Sequence, residues 1–199
     1  MSGGYDRKDH FYKKAKSQGL RSRANFKLQE LNEKYKLLRE GHKVLDLGAW
    51  PGGWLQYSLT CIGSKGKAVG IDLVEIEDLG DKRLITITGD VTEDENIKQA
   101  IDFAGSKFDV VVSDMSPKLS GVKESDQARA AGLVELACNV AERTLVKGGN
   151  FVCKTFKGQD TDQIFKTIKP KFTKLLRSEL DSSRKTSNEY YIVGLGLIQ

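Results

Sequence analysis

The segment Val44-Leu-Asp-Leu-Gly48, continued by Ala-Trp-Pro-Gly-Gly-Trp54, limits the possible folds of this chain more than any other. Its first four residues read as a short buried parallel strand. The glycines end that strand before a helix-like run, Trp54-Leu-Gln-Tyr-Ser-Leu59. A glycine-rich turn from strand to helix lets a nucleotide-like ligand approach the backbone with no Cβ atoms in the way. The spacing narrows the ligand further. A dinucleotide fingerprint, Gly-x-Gly-x-x-Gly, needs its middle glycine so that a pyrophosphate can reach the helix N-terminus. Here Trp50 occupies that position, and its indole would obstruct a pyrophosphate. S-adenosylmethionine (SAM) has no phosphate and asks only for the close turn, with Gly48, Pro51, Gly52, Gly53 and Trp54 as the cradle.

Further strand ends point to the same edge. Lys67-Ala-Val-Gly-Ile-Asp72 finishes in an acid about 20 residues past the turn, where Rossmann-like sheets place the group that bonds ribose hydroxyls. Leu84-Ile-Thr-Ile-Thr88 runs into Gly89-Asp90-Val91, so Asp90 is placed to accept from an adenine amino group while Val91 packs on the ring. Phe108-Asp-Val-Val-Val-Ser113 delivers Asp114-Met-Ser-Pro117, and Asn150-Phe-Val-Cys-Lys154 ends in a lysine. A lone acid after a strand is more often a helix cap or turn former. Three in register with one glycine turn favour a ligand site. A lysine closing a buried strand is costly unless carboxylates face it, and Asp114 and Glu189 are the candidates. Amino-group methyltransferases often have Asn or Asp, then Pro-Pro and an aromatic, after the fourth strand; this chain has Asp114-Met-Ser-Pro117.

The net charge of +5 is unevenly placed. Residues 1–43 hold 12 Lys and Arg against 5 Asp and Glu, whereas the rest of the chain holds 20 against 22. Phe11-Tyr-Lys-Lys-Ala-Lys16 and Leu20-Arg-Ser-Arg-Ala-Asn-Phe-Lys27 interleave basic and aromatic residues, the pattern that grips phosphates and stacks bases. Lys13, Lys14, Lys16, Arg21 and Arg23 are therefore the expected RNA contacts, weighed against a merely solvated helix face. A second basic cluster spans Lys166, Lys169, Lys171, Lys174 and Arg177, followed by Arg184, a further expected RNA contact. Three cysteines and two histidines without metal-type spacing argue against disulfides and zinc, so no metal is expected. The apolar stretches are too short for a membrane span and the start lacks a signal core, so a cytoplasmic protein is expected.

Periodicity predicts a basic N-terminal helix and a second helix over about 23–39, forming an arm (about 1–40) on a single domain spanning 1–199. Strands near 43–48, 67–72, 84–88, 108–113 and 150–156 alternate with helices near 53–62, 93–103 and 124–145, which implies an α/β fold with a mostly parallel sheet covered on both faces. A helix near 160–168 and two closing strands over 172–180 and 189–197 complete it as a C-terminal antiparallel hairpin, the Rossmann-like class I methyltransferase pattern of seven strands.

The motifs Arg21-Ser-Arg-Ala-x-Phe-Lys-Leu28, Asp46-Leu-Gly-Ala-x-Pro-Gly-Gly-Trp54, Gly89-Asp90, Ser113-Asp-Met-Ser-Pro117, Val152-x-Lys-x-Phe156 and Ser183-Arg-x-x-Ser-x-Glu-Tyr190 resemble those of the FtsJ/RrmJ family. Its members are SAM-dependent RNA ribose 2'-O-methyltransferases. The resemblance covers nearly the whole chain. It implies that Lys27, Asp114, Lys154 and Glu189 are the catalytic tetrad and that Gly52, Trp54, Asp72, Asp90 and Asp114 bind SAM, with S-adenosylhomocysteine leaving. It also implies a uridine of large-subunit ribosomal RNA as substrate, within the large subunit and with the enzyme as a monomer. This choice follows from the absence of long extensions, and a tRNA anticodon-loop enzyme is the alternative. The chain departs from the family at Trp50, where alanine is usual, at Asn25, where an aromatic is usual, and at Lys118. Two other classes share some of these features. A nicotinamide-dependent oxidoreductase would explain Asp72 but not Trp50, and a noncatalytic RNA-binding scaffold would not need all four tetrad residues.

Overall fold

The computed structural model describes residues 10–117, 120–183 and 188–198. Five parallel strands form most of one sheet: β1 (Lys43–Leu47), β2 (Lys67–Asp72), β3 (Leu84–Thr88), β4 (Phe108–Ser113) and β5 (Leu145–Phe156). β6 (Phe172–Ser178) and β7 (Glu189–Leu197) form an antiparallel hairpin, with β7 inserted beside β5, so that the order is β3-β2-β1-β4-β5-β7-β6. The chain moves outward from β1 to β3 and then returns to β4 on the other side of β1. The resulting reversal opens a crevice at the carboxyl ends of β1 and β4, where α/β sheets bind ligands.

Both faces of the central strands are apolar because both are covered. Val110, Val112 and Val152 pack with Leu28 and Leu31 of α2 (Ala24–Tyr35) and with Trp54, Leu55 and Leu59 of α3 (Gly53–Cys61). Val111, Phe151 and Cys153 pack on the opposite face with α4 (Asp94–Ala104), α5 (Lys123–Thr144) and α6 (Gln159–Ile168). The remaining helix, α1 (His10–Ser17), carries the exposed lysines 13, 14 and 16.

Two boundaries differ from the sequence expectation. α2 stops at Tyr35 because Lys36 takes a left-handed φ of 54° and the Asn32 side chain accepts from the Leu38 N–H at 2.8 Å. No glycine occurs between Gly19 and Gly41, so the sequence reads as a longer helix. α5 ends at Thr144, and β5 begins at once with Leu145, which pairs with Phe108 across a bulge. The Gly148-Gly149 pair, expected between that helix and the strand, lies inside the strand.

Candidate active site

The carboxyl ends of β1 to β4 open into a cavity of about 550 Å³, lined by Gly48, Trp50, Ile71, Asp72, Leu73, Gly89, Asp90, Val91, Asp114, Met115, Ser116, Leu133 and Leu136. A smaller recess of about 80 Å³ shares Gly48, Trp50 and Asp114 and adds Ser22, Ala24, Asp46, Ala49, Pro51, Gly53 and Trp54. The glycine turn is tight enough to require its glycines. Gly48 has φ +72°, and a Cβ there would lie 2.4 Å from the Met115 side chain. Gly52 has φ +102° and caps α3.

Each acid at this edge has a distinct environment. The Asp72 carboxylate accepts the Trp50 N–H on one oxygen at 2.8 Å and the Val74 N–H on the other at 2.9 Å, so it clamps two loops at the cavity mouth. Asp90 accepts the N–H and the hydroxyl of Thr92, which hold its carboxyl below the usual range. Asp46 is 1% exposed, and neither carboxylate oxygen has a hydrogen-bond partner among the described residues. Burial above all, with Asp114 and Asp72 adding to it, pushes its pKa well above the ordinary value.

The four tetrad residues come together from four elements. β5 and β7 pair Lys154 with Tyr191 and Phe156 with Glu189, which sets Lys154, Tyr191 and Glu189 on the face that α2 covers. Lys27 shares the buried side of α2 with Leu28 and Leu31, and Asp114 follows the last residue of β4. Both lysines are buried, and each holds one carboxylate. Lys27 Nζ lies 2.5 Å from Glu189 Oε1, and Lys154 Nζ lies 3.2 Å from Asp114 Oδ1 while donating to the Asp114 backbone oxygen at 2.8 Å. Paired this way, the charges answer each other's desolvation. Burial alone would raise Glu189, but the charge and hydrogen bond of Lys27, the Ser183 hydroxyl and the Lys154 charge together lower it.

Three contributors were not identified from the sequence. The Tyr191 hydroxyl donates to Asp114 Oδ1 at 2.9 Å and lies 3.4 Å from Glu189 Oε1, linking the two ion pairs. Its signal was strand alternation, since Glu189 and Tyr191 are two apart and share a face. Glu30, on α2, accepts from the backbone of Asp181 and Ser182 and from the Ser182 hydroxyl, tying the β6–β7 connection to that helix. The third is Asp46, which the sequence places inside the first strand without giving its carboxylate a role.

Among the proposed RNA contacts, Lys13, Lys14 and Lys16 are exposed, and Lys14 lies over the Phe26 ring. The Arg21 guanidinium is drawn inward to the backbone oxygens of Pro51, Glu77 and Asp78, and Arg23 is half-buried. Arg184 lies outside the described residues. In the second cluster, Lys171 pairs with Glu142 and Arg177 with Asp162. α6 lies on the opposite face of the sheet from α2, and Arg177 reaches that helix through Asp162 and the Phe165 ring. Among the described residues no helix is long and apolar enough to cross a membrane, and no group of His, Cys, Asp or Glu is placed to hold a metal ion.

The sequence profile of FtsJ-like methyltransferases matches residues 20–197. The chain belongs to the FtsJ-like methyltransferase family. It is similar to the ribosomal RNA large subunit methyltransferase E of Methanothermobacter thermautotrophicus, with 43% identity over 94% of this chain and 89% of that protein. The protein of the same name from Pseudomonas fluorescens is 44% identical over 94% of this chain and 90% of its own length. Among solved structures, one described as a ribosomal RNA methyltransferase from Plasmodium falciparum superposes with a TM-score of 0.79 at 25% identity, covering 89% of this chain and 98% of that one. The FtsJ-like sheet, with its C-terminal hairpin, is thus the frame that brings Lys27, Asp114, Lys154 and Glu189 together beside the cavity.

Proposed function

We propose that this chain acts as one unit over residues 1–199, a cytoplasmic monomer that transfers a methyl group from SAM to a ribose 2'-hydroxyl of RNA. The proposed substrate is a uridine of large-subunit ribosomal RNA, in keeping with the names of its relatives. The observation that carries this reading is the buried Lys154 amine fixed by Asp114 at the cavity edge. Such a group suits an aliphatic hydroxyl, whereas the planar-amine grip of amino-group methyltransferases is absent from Asp114-Met-Ser-Pro117.

The residues present fit SAM. The cavity and its recess offer a larger and a smaller compartment joined at Gly48 and Asp114, suited to the adenosyl and methionyl ends. Asp72 would hold ribose hydroxyls, Asp90 the adenine amino group and Val91 the ring. Asp46 supplies an unpartnered acid for the α-ammonium, the kind of group a buried carboxylate needs beside it. Bound there, SAM supplies an electrophilic methyl group on a cationic sulfonium.

The chain's own task is then to orient the 2'-oxygen and manage its proton. Lys154 Nζ has two positions engaged by Asp114, at the backbone oxygen and at Oδ1, which leaves its third for the substrate oxygen. As a neutral amine that position is a lone pair that takes the hydroxyl proton. As an ammonium it is an N–H that stabilises charge on the oxygen. Glu189 restrains Lys27, and Tyr191 holds the Asp114 carboxylate between the two pairs.

The test is incubation with labelled SAM and separate pools of large ribosomal subunits, naked ribosomal RNA and tRNA. Label on large-subunit ribosomal RNA is expected. Label confined to tRNA would move the substrate to the anticodon loop. SAM binding without transfer to any RNA would leave a noncatalytic scaffold.

A further inference from the structure

Trp50 is 56% exposed, which is unusual for an indole, and its neighbours across the cavity mouth, Leu73 and Val74, are 73% and 52% exposed. The Asp72 carboxylate brings them together, since it receives the backbone N–H of Trp50 on one oxygen and that of Val74 on the other. Trp50 lines both the large cavity and the smaller recess, so the indole stands at their common rim. Its backbone is fixed, while its ring is left open to solvent.

The surroundings indicate what covers the ring. The segment that follows α1 contacts this loop and the start of α3. Arg21 donates to the Pro51 backbone oxygen, its backbone N–H donates to Gln56, and Asn25 donates to the Gly53 backbone oxygen. Just before it, α1 presents the exposed lysines 13, 14 and 16. A solvent-facing aromatic plane next to a cationic arm is the combination that holds single-stranded nucleic acid, with phosphates on the lysines and a base on the ring. Every base has a π-face, so such a platform holds a nucleotide in place without reading its identity.

We infer that the Trp50 indole is a stacking platform for an RNA base at the mouth of the cofactor cavity, positioning the strand whose ribose reaches Lys154. The inference rests on the proposed RNA-methylating activity and adds a positioning residue to it. The ring would touch a base of the bound strand rather than the cofactor.

The experiment compares wild type, Trp50→Ala and Trp50→Phe. Binding is measured for oligouridylate, an abasic oligomer of the same length, naked large-subunit ribosomal RNA, large ribosomal subunits and SAM. Trp50→Ala is expected to weaken oligouridylate and ribosomal RNA by roughly fivefold to a hundredfold. Trp50→Phe should keep most of the affinity, and the abasic oligomer should bind all three proteins alike. SAM affinity should fall less than RNA affinity, because the ring only rims the cavity and the clamp on Asp72 uses the backbone N–H, which both variants retain. Oligouridylate should also quench wild-type tryptophan fluorescence but not that of Trp50→Phe, whose remaining Trp54 is buried with its indole N–H on the Ala24 backbone oxygen. Unchanged RNA binding in Trp50→Ala, or a loss of SAM affinity alone, would overturn the inference. So would a loss seen with subunits but not with naked RNA, which would give the ring to a ribosomal protein. A wild-type enzyme that binds SAM but none of the RNAs would overturn the RNA reading itself.

Discussion

Around Lys154 each buried charge has an opposite charge within the protein, whereas the buried acid at the neighbouring recess, Asp46, has no hydrogen-bond partner among the described residues. Both regions line the same crevice and share Asp114, yet they differ in what they lack. The tetrad is preorganised and loses nothing by waiting, because its desolvated charges are paired. The floor of the recess retains a polar group whose burial is unfavourable until a ligand group meets it. On this account a cationic ligand belongs beside Asp46, and the tetrad needs only a substrate oxygen.

The sharpest way to break this division is Lys154→Ala. Turnover should fall by roughly 10²–10⁴-fold, while SAM affinity stays within about threefold, read by single-turnover methylation and titration calorimetry. Lys154→Arg should not rescue it, because a guanidinium keeps its proton and has the wrong shape. A folded Lys154→Ala enzyme with near-native turnover would remove the chemistry from the tetrad.

Asp46→Asn should give the reverse pattern. SAM should bind more weakly by about 1–3 kcal/mol, with turnover at saturating SAM changed far less. Equal losses in both quantities would mean that the two regions work as one.

The same comparison predicts opposite pH dependences of stability. Asp46 is raised above 3.8, so between 3.8 and the raised value the folded protein holds a proton that the unfolded chain has lost, and stability falls as pH rises through that window. Glu189 is lowered below 4.5, so its contribution is complete above 4.5 and is lost as pH falls through the lowered value. Melting temperature followed against pH should lose its alkaline-going decline in Asp46→Asn and part of its acid-side drop in Glu189→Gln. Matching profiles in the two variants would contradict the assigned environments.

The smallest effect is expected from Tyr191→Phe. Asp114 keeps both contacts with Lys154 after the hydroxyl is lost, so turnover should fall by about fivefold, corresponding to about 1 kcal/mol. A loss as large as that of Lys154→Ala would make Tyr191 a direct participant.

The strands, and the residues Lys27, Asp114, Lys154 and Glu189 that the structure brings together, were legible because each lies in a short run with a clear period or motif. Val110 and Val112 face one layer and Val111 the other, as a doubly covered strand requires. The features that escaped notice depend on contacts distant in sequence. Nothing local shows that Asn32 will stop α2 by capturing Leu38, or that Arg21 will turn inward to the loop at Glu77 and Asp78 instead of outward to phosphate. In the sequence Asp46 reads only as one residue of a buried strand, because an acid buried with no hydrogen-bond partner among the described residues carries no sequence signature. Its role emerges only when the recess above it is seen.

If Lys154 acts on a hydroxyl, the transferred methyl group lies on a ribose oxygen, and its position can be read from the labelled product. Large-subunit ribosomal RNA labelled by the enzyme would be digested with alkali and the products analysed by mass spectrometry. An alkali-resistant dinucleotide with the label on its ribose is expected, because a methylated 2'-oxygen cannot attack the neighbouring phosphate. Label recovered on a base, in mononucleotides released normally by alkali, would contradict it.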